Sequence, residues 1–252
     1  MEDEALTPAY RRMQIERLVK AIRRLGELET SPGRVVPENE DLVIGAGRRL
    51  NAAVMFLDIS GFSSWPAERP AEQAGVLACL NLFFSEMVRI AEDYGGFVEK
   101  NTGDGLMAYF EDQGGDQGAD GCKRAVACAL TMFDTNSSLL SAVLAAARVP
   151  PIRFRIAIDY SPVTIGRLGA ARRFNSVVAV GTAANIASKM LSFAQADEML
   201  VGQSVQQRLP WDWQLLWTQV IDVPTGWVYR ISGLRYSFYR YTGRWVTPVV
   251  QP

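Results

Sequence analysis

The sequence predicts an α+β fold with a ferredoxin-like βαββαβ core, extended by further C-terminal strands and preceded by a helix. Three observations carry this expectation. Apolar runs of strand length alternate with long stretches of helical periodicity, in the order strand, helix, strand, strand, helix, strand. Thr102-Gly103-Asp104-Gly105 is a hairpin signal between the two middle strands. Gly95-Gly96 and Val149-Pro150-Pro151 stop the two long helices.

Taken in order, residues 1–30 form an N-terminal amphipathic segment, helical over 8–29. Ile15, Leu18, Val19, Ile22 and Leu25 share one face, and Arg11, Arg12, Arg17, Lys20, Arg23 and Arg24 decorate the rest. That pattern reads as a solvated basic face on a helix packed against the body or a second subunit, with attachment to a membrane surface as the other reading. Residues 31–49 mix Pro, Gly and both charges and read as a linker. Residues 50–247 form the main domain: a strand over Asn51–Asp58, a helix over 68–94, strands at Phe97–Asn101 and Leu106–Phe110, a glycine-rich loop at 114–121, and a helix over about 120–147. A long strand follows over Ile152–Ile165, then a hairpin bearing Arg172 and Arg173, a strand at Val177–Val180 and a helix over 183–194. The aromatic stretch 199–247 reads as sheet and packing rather than a base-stacking platform.

Bulk properties narrow the chemistry. Net charge is −1 over 252 residues, so no global attraction draws the chain to nucleic acid. No apolar run in the sequence approaches the roughly 20 residues of a membrane span, so stable insertion is not expected. Cys79, Cys122 and Cys128 lie in apolar surroundings without framework spacing, as reduced thiols of a cytoplasmic protein would. The sequence contains 0 histidines, which removes Ser-His-Asp and Cys-His catalysis and His-based zinc sites. Any catalysis must rest on carboxylates, Lys, Arg, a metal or a cofactor.

Two aspartates answer to that. Asp58 ends the first strand in FLDISGF, and Asp104 sits at the tip of the hairpin in KNTGDGLMAYF. In a βαββαβ fold the end of the first strand can face that tip. Two carboxylates meeting there repel unless a cation lies between them, and Mg²⁺ typically takes one or two carboxylates plus substrate phosphate. Ser60, Gly61 and Phe62 permit close backbone approach, where N–H groups can cradle phosphate.

These blocks, with Gly181-Thr182-Ala183-Ala184-Asn185-Ile186-Ala187-Ser188-Lys189, resemble the three motif blocks of class III adenylyl and guanylyl cyclases over roughly residues 50–240. The resemblance implies a ferredoxin-like cyclase catalytic domain and two divalent cations, Mg²⁺ or Mn²⁺. It implies that Asp58 and Asp104 hold the metals with the backbone carbonyl of Ile59, that Lys100 recognises the base, and that Asn185 orients the ribose. It further implies a head-to-tail homodimer with each nucleoside triphosphate bound between subunits.

The chain departs from that pattern in places. Lys189 stands where the transition-state arginine is expected; it keeps the charge and loses the bidentate fork, and it also reads as an ordinary surface lysine. The phosphate-binding lysine aligns near Ser232, with Arg230 and Arg235 as neighbouring substitutes. Val178, seven residues before Asn185, cannot hydrogen-bond the adenine amino group, while Lys100 is a donor suited to a base acceptor. That combination fits a pyrimidine, uracil above all. The chain thereby resembles bacterial pyrimidine cyclases of anti-phage signalling, whose cyclic UMP or cyclic CMP acts on a separate effector. Adenylate cyclase activity and a catalytically inactive dimeric sensor remain the other readings. A GGDEF-type diguanylate cyclase is disfavoured, since Phe97 follows Gly95-Gly96 where an acidic pair is required.

Overall fold

A computed structural model describes residues 6–25, 47–101, 103–112, 120–146, 149–171, 174–219 and 225–246. The linker up to residue 46, most of the glycine-rich loop, and Arg172 and Arg173 lie outside the described residues, as do the side chains of Lys100 and Val178.

The βαββαβ core is present, made by β1 (Gly47–Ile59), α2 (Pro70–Asp93), β2 (Phe97–Asn101), β3 (Gly105–Glu111), α3 (Asp120–Thr135) and β4 (Phe154–Ala171). The sheet order β2-β3-β1-β4 is that of the ferredoxin-like fold. β5 (Phe174–Gly181) pairs with the outer part of β4, and β6 (Met199–Gly202), β8 (Phe238–Tyr241) and β7 (Trp217–Gln219) extend the far edge. β6 pairs parallel to β4 and antiparallel to β8.

Period-two alternation splits β1 and β4 between two cores. Met55, Leu57, Ile156 and Ile158 face α2 and α3 in the main cluster with Phe83, Met87, Cys128 and Phe154. Ala52, Val54 and Ala157 face the other way, toward α5 (Thr182–Met190) and the segment around Trp227 and Tyr236. Trp213 is buried in the main cluster, and Tyr236 and Phe238 are buried in the second with Trp227 packed beside them, so these aromatics serve packing. All three cysteines are buried, and no disulfide joins them.

α2 ends in a Schellman motif. Gly95 takes φ 68°, its N–H donates to the Glu92 carbonyl (2.9 Å), and Gly96 N–H donates to the Ala91 carbonyl (2.8 Å). The second long helix is interrupted: α3 passes through a π turn at Asn136–Leu140 before α4 (Ser141–Ala146). Two helical stretches, Pro70–Asp93 and Gly121–Ala146, are long and apolar enough by composition to cross a membrane. Each packs an apolar face on the sheet, which supplies another reason for that composition.

α1 (Pro8–Leu25) differs from expectation in which face it buries. Among the described side chains of the apolar stripe only Leu18 is buried; Ile15, Val19 and Ile22 are exposed. Arg11 and Gln14 are buried instead. Arg11 Nη1 donates to Asp134 Oδ2 (2.8 Å) and Gln14 Nε2 to Thr135 Oγ1 (2.7 Å). Arg17 bridges Glu86 (3.1 Å) and Asp93 (2.6 Å) on α2. The basic face is therefore partly an internal ion-pair seam, because acidic partners on α2 and α3 satisfy the charges that periodicity alone assigns to water.

Candidate active site

β1 and β3 run antiparallel with Asp58 opposite Gly105, so the two aspartates become neighbours at one end of the sheet. Ile59 N–H donates to the Asp104 carbonyl (2.8 Å), tying β1 to the hairpin tip. Gly103 takes φ 97°, a backbone conformation that favours glycine. Both carboxylates are partly exposed.

Asp58 has a partner that the sequence reading missed. Arg155 on β4 lies directly across from it in the β1–β4 register. Arg155 Nε and Nη2 both donate to Asp58 Oδ2 (2.9 and 2.8 Å), and Nη1 donates to the Ala194 carbonyl (3.3 Å). An arginine in a strand reads as a solvent-facing residue when its cross-strand partner is not known. Only the antiparallel register turns positions 58 and 155 into a pair.

The loop after β1 is narrower in function than the sequence suggests. Ser60 N–H donates to the Arg153 carbonyl (2.8 Å) and is not free to cradle phosphate. Ser60 Oγ, by contrast, is buried with no hydrogen-bond partner. Gly61 takes φ 73° and turns the chain into a short 3₁₀ turn at Phe62–Ser64.

A cation fits this corner. Asp58 and the Asp104 turn meet through the backbone at this end of β1, Arg155 is already drawn to Asp58, and Ser60, two residues further on, carries an orphaned hydroxyl oxygen. No group of three or more His, Cys, Asp or Glu gathers among the described residues. A pair of carboxylates completed by substrate oxygens is the usual arrangement for Mg²⁺.

The remaining predicted residues lie elsewhere on the chain. Asn185 and Lys189 are exposed on α5, one turn apart, while Ala183, Ile186, Ala187 and Met190 bury the opposite face. Ala183 N–H donates to Ser161 Oγ (3.0 Å), at the level of Ala52 on β1. Asp58 is six residues further along β1, roughly 20 Å at about 3.3 Å per residue. Lys100 stands on β2 opposite Met107, and Val178 on β5 opposite Gly166. Arg235 is exposed and bridges to Val228 at the base of a turn that also carries Arg230.

Beside α5 lies a buried acid unnoticed in the sequence. Asp159 is 2% exposed, and Tyr236 Oη donates to its Oδ1 (2.5 Å). Burial pushes the Asp159 carboxyl up to about 7, against the opposing effect of the Tyr236 bond. The signal available was an acid at a period-two position between Ala157 and Ser161, on the face turned toward α5.

This geometry defines a carboxylate-pair site on a ferredoxin-like sheet, and comparison with known proteins identifies the class. Residues 45–225 match the model for the adenylate and guanylate cyclase catalytic domain. That match covers most of the chain, and the chain belongs to this family as a nucleotidyl cyclase catalytic domain. An adenylate cyclase of Anabaena cylindrica is 29% identical over 177 residues, 68% of this chain and 33% of that protein. The aggregation-specific adenylate cyclase of Dictyostelium discoideum is 31% identical over 162 residues, 63% of this chain and 10% of that protein. The chain thus spans a third or less of the length of the curated relatives it matches. Among solved structures, the adenylyl cyclase CyaB from P. aeruginosa aligns with TM-score 0.65 at 24% identity, covering 79% of this chain and 96% of that one. The guanylyl cyclase Cya2 aligns with TM-score 0.64 at 21% identity, covering 80% and 96%.

Proposed function

We propose that this chain converts a nucleoside triphosphate, UTP in the first instance, into its 3′,5′-cyclic monophosphate and pyrophosphate. The observation that carries this reading is the meeting of Asp58 and the Asp104 turn at one end of β1, where Asp58 pairs with Gly105 and Ile59 N–H donates to the Asp104 carbonyl, in a chain of the cyclase family. Asp58, Asp104 and the Ile59 carbonyl are the groups that would hold divalent cations, Mg²⁺ or Mn²⁺. Cations bound there supply a more acidic ribose 3′-hydroxyl and charge neutralisation of the triphosphate. The 3′-oxygen loses its proton and attacks the α-phosphorus; the bond to the bridging oxygen breaks and pyrophosphate leaves. Asn185 orients the ribose, and the Lys189 ammonium offsets charge growing on the phosphates.

A site shared by two copies is what the resemblance to class III cyclases implies; within one copy α5 starts at the level of Ala52 and runs back toward Ala194 beside Arg155. One copy holds the triphosphate at Asp58 and Asp104; the other presents Lys100, Val178, Asn185 and Lys189. Arg235 and Arg230, on an exposed turn, are the cations available in place of the missing lysine near Ser232. The choice of UTP rests on Lys100 as a donor and Val178 as a side chain unable to pair with an adenine amino group. A cyclic pyrimidine nucleotide acting on a separate effector, as in anti-phage defence, follows from the same pair. The ATP reading has one observation in its favour, that curated relatives are adenylate cyclases.

The test is incubation of the purified protein with Mn²⁺ and each of ATP, GTP, CTP and UTP, with products identified by mass spectrometry. Cyclic UMP is the expected main product. Asp58→Ala and Asp104→Ala each reduce turnover by about a thousandfold or more, the scale of losing a metal-held transition state. Cyclic AMP as the main product refutes the role of Val178, and full turnover by Asp104→Ala refutes the cation site.

A further inference from the structure

Arg155 stands where a cation is wanted. Its guanidinium places two donors on one oxygen of Asp58 while Nη1 is anchored to the Ala194 carbonyl. The side chains are 31% and 23% exposed, so water screens the pair only in part. Asp58 Oδ1 is engaged by no described residue, and neither is the Asp104 carboxylate. Hence the one carboxylate oxygen held by a positive charge belongs to the residue best placed to share a cation with Asp104.

We propose that Arg155 is a built-in competitor for the cation site: it neutralises Asp58 in the metal-free protein and would weaken the hold of Asp58 on a divalent cation. The inference rests on the assignment of those aspartates to a cation and adds a residue that sets how tightly the cation is held. The physical basis is charge exchange. A cation held at Asp58 would share the carboxylate with two charge-assisted donations and lie near a guanidinium that the Ala194 carbonyl holds by its other edge. The protein gains a carboxylate that is not left unpaired when no metal is present. Its consequence is a weaker grip on free metal than two adjacent carboxylates would otherwise have.

The test titrates nucleotide-free protein with Mn²⁺ alone and follows free Mn²⁺ by electron paramagnetic resonance. Arg155→Gln removes the charge and is expected to bind Mn²⁺ about three- to tenfold more tightly than the wild type, the scale of losing a partly exposed ion pair and a nearby like charge. Arg155→Lys keeps the charge without the doubled donation and is expected to fall between the two. Arg153→Gln, two residues away and paired with Asp197 (2.6 Å), is expected to leave affinity unchanged. Thermal unfolding gives a second readout: metal-free Arg155→Gln melts below the wild type, and Mn²⁺ raises its midpoint more. If Arg155 merely braces β1 against β4, Arg155→Gln binds Mn²⁺ equally or more weakly, and that result overturns the proposal. Should Arg155→Gln fail to fold by circular dichroism, Arg155→Lys decides, and no tightening there counts against it. Asp58→Asn separates the two levels. Unchanged Mn²⁺ binding in Asp58→Asn removes the cation site itself, whereas binding lost there but not tightened by Arg155→Gln removes only the role of Arg155.

Discussion

Asp159 shows what burial does to a single carboxyl group. Its Oδ1 accepts from Tyr236 while Gly202 on β6 leaves it room; a Cβ at Gly202 would lie 2.2 Å from that oxygen and 2.1 Å from Tyr236 Oη. An acid held at about 7 rather than 3.8 keeps its proton in the folded protein over a pH range where the unfolded chain has lost it. The folded state binds more protons between those values, so this group's contribution to stability falls as pH rises from about 4 to about 7 and stays low above. The whole effect is on the order of 4 kcal/mol at about 1.4 kcal/mol per pH unit. Asp159→Asn should therefore gain roughly 2–4 kcal/mol relative to wild type between pH 4.5 and pH 8, read from urea midpoints at both. Parallel pH profiles for the two proteins would contradict the assignment. Asp58 and Asp104 stood out in the sequence because each sits in a turn-like motif with a partner 46 residues away. Asp159 and Arg155 did not, because neither has a local motif. Their significance comes from Tyr236, 77 residues on, and from Asp58, 97 residues back.

At the scale of elements, α1 illustrates how periodicity assigns a helix correctly and its buried face wrongly. Isoleucine and valine outscore arginine on any apolar scale, so Ile15, Val19 and Ile22 mark the core stripe until the acids on neighbouring helices are known. In the structure Asp134, Glu86 and Asp93 supply those partners. Arg11 and Asp134 are 3% and 8% exposed, deep enough that breaking the pair leaves a buried charge without its counter-ion. Arg11→Ala should lower stability by about 3–5 kcal/mol, while the apolar double replacement Arg11→Met with Asp134→Leu should cost far less or nothing. Denaturant titration of the three proteins checks this; equal losses in the single and double variants would show that Arg11 contributes by packing its stem instead. The Schellman end of α2 was readable because Gly95-Gly96 is a local signal. The π turn between α3 and α4 was not, because Asn136–Leu140 carries no comparable punctuation and the helical pattern runs through it.

The whole molecule raises the question of how residues at different places on one surface act on one nucleotide. Both Asp58 and Asn185 belong to the same sheet-and-helix body, yet α5 begins roughly 20 Å along β1 from Asp58 at about 3.3 Å per residue. If Asp58 holds the triphosphate and Asn185 the ribose, as proposed, the two residues would serve one substrate from different copies. An isologous dimer relates them twice, giving two equivalent sites. The arrangement predicts complementation. Asp58→Ala and Asn185→Ala homodimers each lack one essential group in both sites. A mixed dimer of the two has one site with both variants and one site with neither. If subunits exchange at random in an equal mixture, half the dimers are mixed and half of their sites are intact, so activity returns to about a quarter of the wild-type level. Mixing before and after crosslinking separates exchange from residual activity of either variant. A mixture no more active than its components would place Asp58 and Asn185 of a single chain on the same nucleotide.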